Sequence, residues 1–300
     1  MVATRPEGAV NPAVTAVVTA FRPDDRLTEV VRSAGSQCAR VVVVDNTPAG
    51  EPGVDALPAV ADVAQVLRPG TNLGLAGALN LGVHEASPEH DLLLLDQDSA
   101  VPAGLVERLT ARLDADPRIG VVGPVPWDAD ADRPLDPRAT HRAPLADLPV
   151  VITSGMVVRR AALDAVGPFR EDFFVDCVDQ DLCLRVRGAG WRVVQDATVR
   201  LPHSLGDTRW RGVGPFRLRS TSHATWRLYW TARNGTVLAR EHWRREPVWV
   251  ATSAALQAYV ALTVLLFEPP RLRRLATLAR GARDGWSGRS DPAMRPGGAR

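Results

Sequence analysis

Short apolar runs alternate with amphipathic stretches along most of the chain. The runs at residues 13–21 and 40–46 are apolar on both faces, as in strands buried inside a parallel sheet, and further strands are predicted at 61–67, 91–95 and 119–125. The stretches between them have helical spacing of apolar residues and cover 24–35, 75–86 and 102–115. Strands that alternate with helices imply right-handed crossovers. The pattern therefore predicts an α/β fold with a mostly parallel central sheet and helices on both faces.

The pattern becomes less regular in the middle of the chain. Residues 124–149 are rich in Pro, Asp and Ala and predict a long loop over one rim of the sheet. Strand character returns at 150–160, and helices are predicted at 160–166 and 179–190. Two short strands are predicted within 191–203. These elements continue the predicted α/β domain beyond the loop.

Residues 248–267 form a stretch of twenty residues without a charge, between the arginine-rich segments REHWRRE and RLRRLATLAR. Its length is sufficient for a membrane-spanning helix, although Gln257 and several hydroxyl residues make it less apolar than most spans. The alternatives are a helix packed on the catalytic domain and a helix that lies on a bilayer with arginines at the lipid phosphates. We expect association with an anionic membrane surface, because arginines flank the apolar stretch.

The charges are unevenly distributed, although the formal net charge is only +2. Residues 1–199 contain 18 arginines and 28 acidic residues, whereas residues 200–300 contain 18 arginines and 6 acidic residues. The chain has no lysine. A basic last third suggests phosphates, nucleic acid or an anionic membrane as partner. Nucleic acid is not expected, because no aromatic and basic platform accompanies the positive charge.

The three cysteines, Cys38, Cys177 and Cys183, form no CxxC motif. They fit buried thiols in a reducing compartment better than a disulfide framework or a zinc site. The first residues lack the apolar core of a signal peptide, so we expect no secretion. Residues 1–12 and 286–300 are expected to be disordered.

Three of the predicted strands end in polar, ligand-capable residues, namely Thr19, Asp45 with Asn46, and Asp96 with Gln97 and Asp98. In open parallel sheets, ligands bind beyond the carboxyl ends of the strands. Two carboxylates with the spacing of Asp96 and Asp98 suit a hard divalent cation, which can also bridge to substrate phosphates. The alternative is that Asp98 or Ser99 only caps the following helix.

A glycine-containing segment, RPGTNLGLAGALNLG, places Asn72, Gly74 and Gly77 at the start of a predicted helix. Backbone amides at a helix start favour a phosphate or a close-lying nucleotide. The segment lacks the first glycine of a G-x-G-x-x-G motif and follows the third strand, which disfavours a dinucleotide site.

Asp179 and Asp181 lie at the start of the predicted helix 179–190. Without further context, Asp179 can be a carboxylate favoured by the helix dipole, and Asp181 can pair with Arg185 one turn later.

Six motifs, in order, resemble the family 2 glycosyltransferases of the GT-A fold. They are VVTAFRPD, VVVVDN, NLGLAGALNLG, LLLLDQDS, TSGMVVRR and FFVDCVDQDLCLR. The forms DQDS and NLGLAGALN are most similar to the bacterial rhamnosyltransferase subgroup. The resemblance implies a GT-A catalytic domain over residues 13–240, followed by a helical, basic and apolar extension over 241–285. The chain departs from the subgroup near Phe21, where Tyr-Asn is usual, and at Asp181, where Glu is frequent.

The resemblance also implies roles for individual residues. The nucleotide sugar would be bound by Thr19, Ala20, Phe21, Asp45, Asn72, Gly74, Gly77, Asp96, Gln97, Ser154 and Gly155. Asp98 and His203 would bind Mg²⁺ or Mn²⁺. Asp179 would be the general base, with Asp181 as its companion and Asp176 as a rival. Three further residues would face the acceptor or pack as support, namely Trp226, Tyr229 and Arg233.

The implied reaction transfers a sugar from a dTDP- or UDP-linked donor to a hydroxyl of a glycan or lipid-linked acceptor, with inversion. Its expected context is cell-envelope polysaccharide synthesis at the cytoplasmic face of the membrane, with L-rhamnose from dTDP-rhamnose as the first choice. One alternative is a sugar nucleotidyltransferase, which ordinarily has a glycine-rich basic loop where this chain has TAFRPDD. Another is a non-catalytic, membrane-bound protein that binds nucleotide sugars.

Overall fold

A computed structural model of the protein describes residues 10–51, 57–129, 131–203, 208–213, 216–221 and 224–296. The chain divides into two compact units. We call the part within residues 1–171 and 179–204 the sheet unit, and the part within 172–178 and 205–300 the helical unit. Most of the predicted disordered N-terminus, residues 1–9, lies outside the described residues.

The sheet unit contains nine strands among its described residues. They are β1 (Asn11–Ala20), β2 (Cys38–Asp45), β3 (Gln65–Leu67), β4 (Asp91–Asp96), β5 (Ile119–Asp128), β6 (Arg133–Pro134), β7 (Leu145–Asp147), β8 (Met156–Val158) and β9 (Arg192–Pro202). The helices are α1 (Arg26–Gly35), α2 (Gly74–Glu85), α3 (Leu105–Ala115), α4 (Arg160–Val166) and α5 (Val178–Gly188), whose first residue belongs to the helical unit. Short 3₁₀ turns occupy Pro58–Val60, Pro137–His141 and Glu171–Phe173.

The central sheet has the strand order β3-β2-β1-β4-β8-β5-β9-β7, with β6 paired to β5. Strands β3, β2, β1 and β4 are parallel, as the sequence predicts. Beyond β4 the sheet is mixed, because β8 is antiparallel to both β4 and β5, and β6 and β7 are antiparallel to their neighbours. Strands β5 and β9 are again parallel. The α/β fold is therefore confirmed, and its parallel order is confined to the β3–β4 half and the β5–β9 pair.

Helices cover both faces of the parallel half. On one face α1 and α3 pack on β1, β2 and β4, and the core there includes Val18, Leu27 and Leu109. On the other face, Ala78 of α2 packs against β2. A Cβ added to Gly82 of α2 would lie 2.3 Å from Cγ1 of Val17, so this helix approaches β1 as closely as a glycine permits. Burial on both faces explains why these strands are apolar throughout.

Three segments differ from the sequence predictions. Strand β3 has only three residues, because Pro58 starts a 3₁₀ turn and residues 61–63 form a turn. The predicted loop at 124–149 contains the end of β5 and strands β6 and β7. The two short strands predicted within 191–203 are one strand, β9, with a bulge where Asp196 pairs with Pro124 and Arg200 with Val125. The side chain of Asp196 stabilises the bulge by accepting hydrogen bonds from the backbone and side chain of Thr198.

The helical unit contains α6 (Thr225–His242), α7 (Pro247–Phe267) and α8 (Arg271–Trp286), and an antiparallel hairpin of β10 (Thr208–Val213) and β11 (Phe216–Thr221). Helices α6 and α8 are in close contact at two glycines. A Cβ added to Gly281 would lie 2.3 Å from the carbonyl oxygen of Tyr229, and one added to Gly285 would lie 2.3 Å from that of Arg233. Backbone approach of this kind requires residues without side chains.

The last described residues also pack in the helical unit, although we expected disorder over 286–300. Met294 accepts a hydrogen bond of 2.6 Å from Nε1 of Trp230, and Asp291 forms an ion pair with Arg280. A 3₁₀ turn covers Pro292–Met294. Only residues 297–300 of this tail lie outside the described part.

Helix α7 is long and apolar enough to cross a membrane, judged by its length and composition alone. It has 21 residues, of which only Trp249, Thr263 and Val264 are buried. The described residues include ten large hydrophobic side chains that are exposed, and all except Val10 and Val63 lie between residues 243 and 286. The exposed apolar surface of the described protein is therefore concentrated on the helical unit.

Candidate active site

The ends of three parallel strands meet at one edge of the sheet. Ala20 at the end of β1 is paired with Asp45 of β2, and Thr19 is paired with Asp96 of β4. The polar residues that follow these strands are therefore neighbours in space, at the edge where ligands bind in open parallel sheets.

Asp45 is completely buried at this edge. Its Oδ1 accepts a hydrogen bond of 3.1 Å from the backbone N–H of Thr47. Its Oδ2 lies 3.4 Å from Nε of Arg68 and receives no hydrogen bond from the described residues. A buried carboxylate oxygen without a hydrogen bond is rare in folded proteins, so this atom is suited to accept an N–H group from a ligand.

The segment that follows β1 is fixed by side chains from the two neighbouring strand ends. Gln97 accepts a hydrogen bond of 2.7 Å from the backbone N–H of Phe21, and Thr47 accepts one of 2.7 Å from that of Arg22. Arg22 has a φ of 49°, which few residues other than glycine adopt. Gln97, predicted to bind the nucleotide sugar, therefore also supports the loop that carries Phe21.

The segment before α2 is shaped by two asparagines. Asn46, which is buried, donates to the carbonyl of Gly74 and accepts from the backbone N–H of Leu73, both at 2.8 Å. Asn72 accepts a hydrogen bond of 2.9 Å from the backbone N–H of Gly74, whose φ is 77°. The sequence indicates Asn46 only as a polar, ligand-capable residue at the end of a strand, and its contacts with the segment before α2 were not predicted. Gly77 lies inside α2, where a Cβ would approach that of Leu73 to 2.9 Å.

Asp96, Asp98 and His203 form a candidate metal centre. Each offers one ligand atom, and these atoms lie within 4.8 Å of one another. Asp96 ends β4, and the backbone N–H of His203 donates to the carbonyl of Trp127, which extends the β5–β9 pairing by one residue. Hard divalent cations such as Mg²⁺ have oxygen ligands at roughly 2.1 Å, so ligands on opposite sides are about 4 Å apart. The limit of 4.8 Å on the separations is close to this value, and two carboxylates with an imidazole are ligands that suit Mg²⁺ or Mn²⁺.

Two serines orient the ligands of this centre. The hydroxyl of Ser99, which is fully buried, lies 2.9 Å from Nδ1 of His203. Ser154 donates a hydrogen bond to Oδ2 of Asp96. A histidine held at one ring nitrogen presents the other, here Nε2, to a metal. Asp98 also lies near a cation, because its Oδ2 is 3.6 Å from Nη1 of Arg26.

Asp98 is not a helix cap. Helix α3 begins at Leu105, and the residue that precedes it is Gly104. Ser99 likewise lies several residues before the helix, so the structure excludes the capping alternative for both residues.

Asp179 and Asp181 lie in the first turn of α5 in different surroundings. Asp179 is half-buried, and its Oδ1 accepts a hydrogen bond of 2.8 Å from the backbone N–H of Gln180. Asp181 is buried, with its Oδ2 2.7 Å from Nε of Arg185 and its Oδ1 3.5 Å from Nη1 of Arg170. Arg185 in turn donates to the carbonyl of Val166, at the end of α4. The structure thus places Asp181 in the ion pair that links α5 to α4.

Asp176, the rival for the base, belongs to the helical unit. Its Oδ1 accepts a hydrogen bond of 2.7 Å from Nη2 of Arg227, and its Oδ2 accepts one of 2.9 Å from the hydroxyl of Thr231. Both carboxylate oxygens of Asp176 therefore have hydrogen-bond partners on α6, which gives this residue a structural role within the helical unit.

The three residues predicted to face the acceptor or to act as support have packing contacts within the helical unit. Trp226 packs edge-on against Phe174. Tyr229 is fully buried and donates a hydrogen bond of 3.0 Å to Asp284. Burial and this hydrogen bond raise the pKa of Tyr229 to about 12. Arg233 is also buried, so the geometry favours support for these residues.

The fold is shared with solved glycosyltransferases. One is the mannosyltransferase PcManGT from Pyrobaculum calidifontis, solved in complex with GDP-Man and Mn²⁺. It has a TM-score of 0.60 at 20% identity, and the match covers 96% of this chain and 79% of the mannosyltransferase chain. GalNAc-T7, solved with UDP, GalNAc and Mn²⁺, has a TM-score of 0.52 at 15% identity, covering 64% of this chain and 44% of its own. The fold is thus that of a GT-A type glycosyltransferase.

The family called glycosyl transferase family 2 matches residues 15–167, and the chain belongs to this family. It is also similar to the dTDP-rhamnosyl transferase RfbF of Shigella flexneri, with 24% identity over 258 residues that cover 78% of this chain and 82% of the relative. The protein is therefore a glycosyltransferase, and the two alternatives of a nucleotidyltransferase and a non-catalytic binding protein are set aside.

We expect Asp98→Ala to abolish the binding of Mn²⁺ that depends on this centre, because it removes one of three ligands. Ser99→Ala should weaken Mn²⁺ binding by about 10- to 100-fold, the usual effect of losing a group that orients a ligand. Titration of Mn²⁺ in the presence of dTDP, followed by electron paramagnetic resonance, measures both effects.

Asp164→Ala, which removes an exposed carboxylate from α4, is the matched control and should bind Mn²⁺ as the parent does. Unchanged Mn²⁺ binding in Asp98→Ala would show that the ion is not held at this centre.

Proposed function

We propose that the protein transfers a sugar from a nucleoside diphosphate donor to a hydroxyl of a glycan or lipid-linked acceptor, with inversion, in cell-envelope polysaccharide synthesis. The first candidate is L-rhamnose from dTDP-rhamnose. The observation that carries this proposal is the candidate metal centre of Asp96, Asp98 and His203, on the same sheet edge as the buried oxygen of Asp45. A buried hydrogen-bond acceptor and a metal centre on one sheet edge suit a ligand that carries both a nucleobase and a diphosphate.

The donor would bind along the strand ends. Oδ2 of Asp45 can accept the ring N–H of thymine or uracil, because no described residue donates a hydrogen bond to it. The segment from Thr19 to Phe21 would line the base, and Ser154 with Gly155 would lie beside the sugar. Asp98 and His203 would hold a divalent cation, which when bound neutralises charge on the diphosphate.

The choice of dTDP-rhamnose is supported by the relative from Shigella flexneri, whose name states that donor and which is similar over most of both chains. A pocket that binds thymine through its ring N–H also binds uracil, since both bases share this group. UDP-hexoses and UDP-galactofuranose are therefore the donors to compare with dTDP-rhamnose.

Asp179 is the proposed general base. Its carboxylate takes the proton of the acceptor hydroxyl while the acceptor oxygen bonds to the anomeric carbon and the bond from that carbon to the diphosphate oxygen breaks. A single displacement of this kind inverts the anomeric centre and needs no covalent enzyme intermediate. Asp179 is chosen over Asp176 and Asp181 on the family resemblance, in which the motif FFVDCVDQDLCLR matches it to the catalytic carboxylate.

The helical unit is the proposed membrane-binding part, at the cytoplasmic face. Helix α7 has 21 residues, and at about 1.5 Å per residue it matches the roughly 30 Å hydrocarbon core of a bilayer. Exposed arginines lie on both sides of it, Arg244 and Arg245 before and Arg271 and Arg273 after. Apolar side chains flanked by arginines suit a surface of anionic lipids.

We expect dTDP-rhamnose, with Mn²⁺ or Mg²⁺ present, to raise the temperature of thermal unfolding more than UDP-glucose, UDP-galactofuranose or GDP-mannose does. A ligand at about 100 times its Kd stabilises the folded state by about 2.7 kcal/mol. The same screen on Asp45→Asn should lose the preference for thymine and uracil nucleotides. If a UDP-sugar raises the unfolding temperature more than dTDP-rhamnose does, that UDP-sugar is the donor. If no nucleotide sugar raises it, the proposed donor site is wrong.

Asp179→Asn should lower turnover by about 10²- to 10⁴-fold, the usual contribution of general-base catalysis, because an amide cannot take up the acceptor proton. Donor affinity should be unchanged, since the proposed donor contacts are on other elements. Release of dTDP from the donor in the presence of a lipid extract measures turnover, and Asp164→Asn on the exposed face of α4 is the control. Turnover within about threefold of the parent would exclude Asp179 as the base.

The protein should bind vesicles that contain phosphatidylglycerol and not vesicles of phosphatidylcholine alone, with weaker binding at high salt because ions screen the arginines. Leu262→Glu combined with Leu266→Glu should reduce binding, whereas Val63→Glu, at an exposed site of the sheet unit, should not. Sedimentation with vesicles measures both. Absence of binding at low salt would contradict the proposal. If the protein stays in the cell membrane fraction after washes with high salt and with alkaline carbonate, α7 spans the membrane instead.

A further inference from the structure

The seven residues Asp172–Val178 lead directly into α5 and Asp179, and we call them the lead-in segment. We propose that Asn234 of α6 is a positioning residue that holds the lead-in segment in the conformation required to place Asp179. This inference rests on the proposed role of Asp179 as the base.

The lead-in segment has an unusual backbone. Phe174, Asp176 and Cys177 have φ angles of 52°, 59° and 61°, although none of them is a glycine. Side chains with a Cβ rarely adopt this left-handed region, and they keep it only where surrounding contacts over-determine the conformation. Three such residues within four positions therefore require an external restraint.

Asn234 provides contacts of this kind. Its side chain is completely buried, and its Nδ2 lies 2.8 Å from the carbonyl oxygen of Phe173, 2.8 Å from that of Val175 and 3.0 Å from that of Asp176. The two N–H groups of the amide are thus shared among three backbone carbonyls of the lead-in segment. Its Oδ1 accepts a hydrogen bond of 3.0 Å from Nη1 of Arg233, so both ends of the amide are used.

The aromatic rings of Trp226 and Trp230 on α6 pack against Phe174, and the other described hydrogen bonds from α6 to the lead-in segment act elsewhere. Arg233 binds the side chain and carbonyl of Asp172, at the start of the segment. Arg227 and Thr231 bind the carboxylate of Asp176, which can rotate about its own side-chain bonds. Among the described hydrogen bonds, those of Asn234 are the ones that fix several backbone carbonyls of the left-handed region at once.

The chemistry of the amide makes the position specific. Three carbonyl oxygens converge on one atom, so that atom must be a hydrogen-bond donor. Aspartate has the same shape as asparagine but would direct a carboxylate oxygen at the three carbonyls. Asn234→Asp therefore reverses the interaction with little change of volume, and we expect it to release the lead-in segment.

Release of the segment should act on the transfer step. The segment ends one residue before Asp179, and a general base must lie within hydrogen-bond reach of the proton that it removes. A misplacement of about 1 Å can lower the rate by about 10²-fold. Donor and metal binding should be unaffected, because Asp45 ends β2 and Asp98 follows β4, and neither has a described hydrogen bond to the lead-in segment.

Cys177 reports on the segment without any substrate. It is half-buried, whereas Cys38 and Cys183 are buried, and burial raises the pKa of both of these thiols to about 12. A thiol reacts as its thiolate, so alkylation of the folded protein should be fastest at Cys177.

The test compares Asn234→Asp with Glu268→Gln in the full-length protein. Glu268 forms a buried ion pair with Arg274 in the same unit, so its substitution perturbs the stability of that unit without touching the lead-in segment. Three quantities are measured: kcat and KM with dTDP-rhamnose and lipid extract, Mn²⁺ affinity with dTDP, and the rate of Cys177 alkylation by iodoacetamide, located by mass spectrometry. Asn234→Ala, which removes the donor without adding a charge, serves the same test if Asn234→Asp does not fold.

We expect Asn234→Asp to lower kcat by about 10²-fold and to leave KM for the donor and Mn²⁺ affinity within about threefold, with a clear rise in Cys177 alkylation. Glu268→Gln should change none of these. The inference is overturned if kcat stays within about threefold, if Cys177 alkylation is unchanged, or if Glu268→Gln lowers kcat equally. Absence of turnover in the parent protein would contradict the proposed function instead, and alkylation would still show whether Asn234 holds the segment.

Discussion

The pairing register of β1 with its two neighbours is the constraint on which the site depends. Ala20 is level with Asp45, and Thr19 is level with Asp96, so one edge of the sheet collects the polar ends of three strands. Side chains alternate between the faces of a strand, and a slip by one residue would move every buried side chain of β1 to the opposite face. Because helices cover both faces, with Gly82 of α2 against Val17, the strand has little freedom to slip.

The parallel half of the sheet could be predicted from the sequence, because strands buried on both faces are apolar at every position. The antiparallel insertion of β8 between β4 and β5 could not, since its pairing depends on distant partners and it has only three residues. The same holds for β6 and β7, which lie in a stretch rich in proline and aspartate.

The candidate site shows a similar division. The carboxylates at the strand ends could be predicted from their position, and His203 from the family resemblance. Ser99, Asn46 and Asn234 were not assigned these roles, because a buried polar side chain that binds backbone or another side chain looks in sequence like any polar residue of a loop or helix. Their function becomes visible only when the distant groups that they bind, such as Nδ1 of His203, are placed beside them.

The bulge in β9 determines which residues of that strand share a face. Val194, before the bulge, and Leu201, after it, belong to the same core although their numbers differ in parity. The three extra residues, 197–199, have therefore inverted the alternation of the strand. Insertion or loss of an odd number of residues there would turn Leu201 away from the core and carry His203 to the wrong side of the sheet edge. A change by two residues would preserve the face, so length variation at this bulge is restricted to even steps.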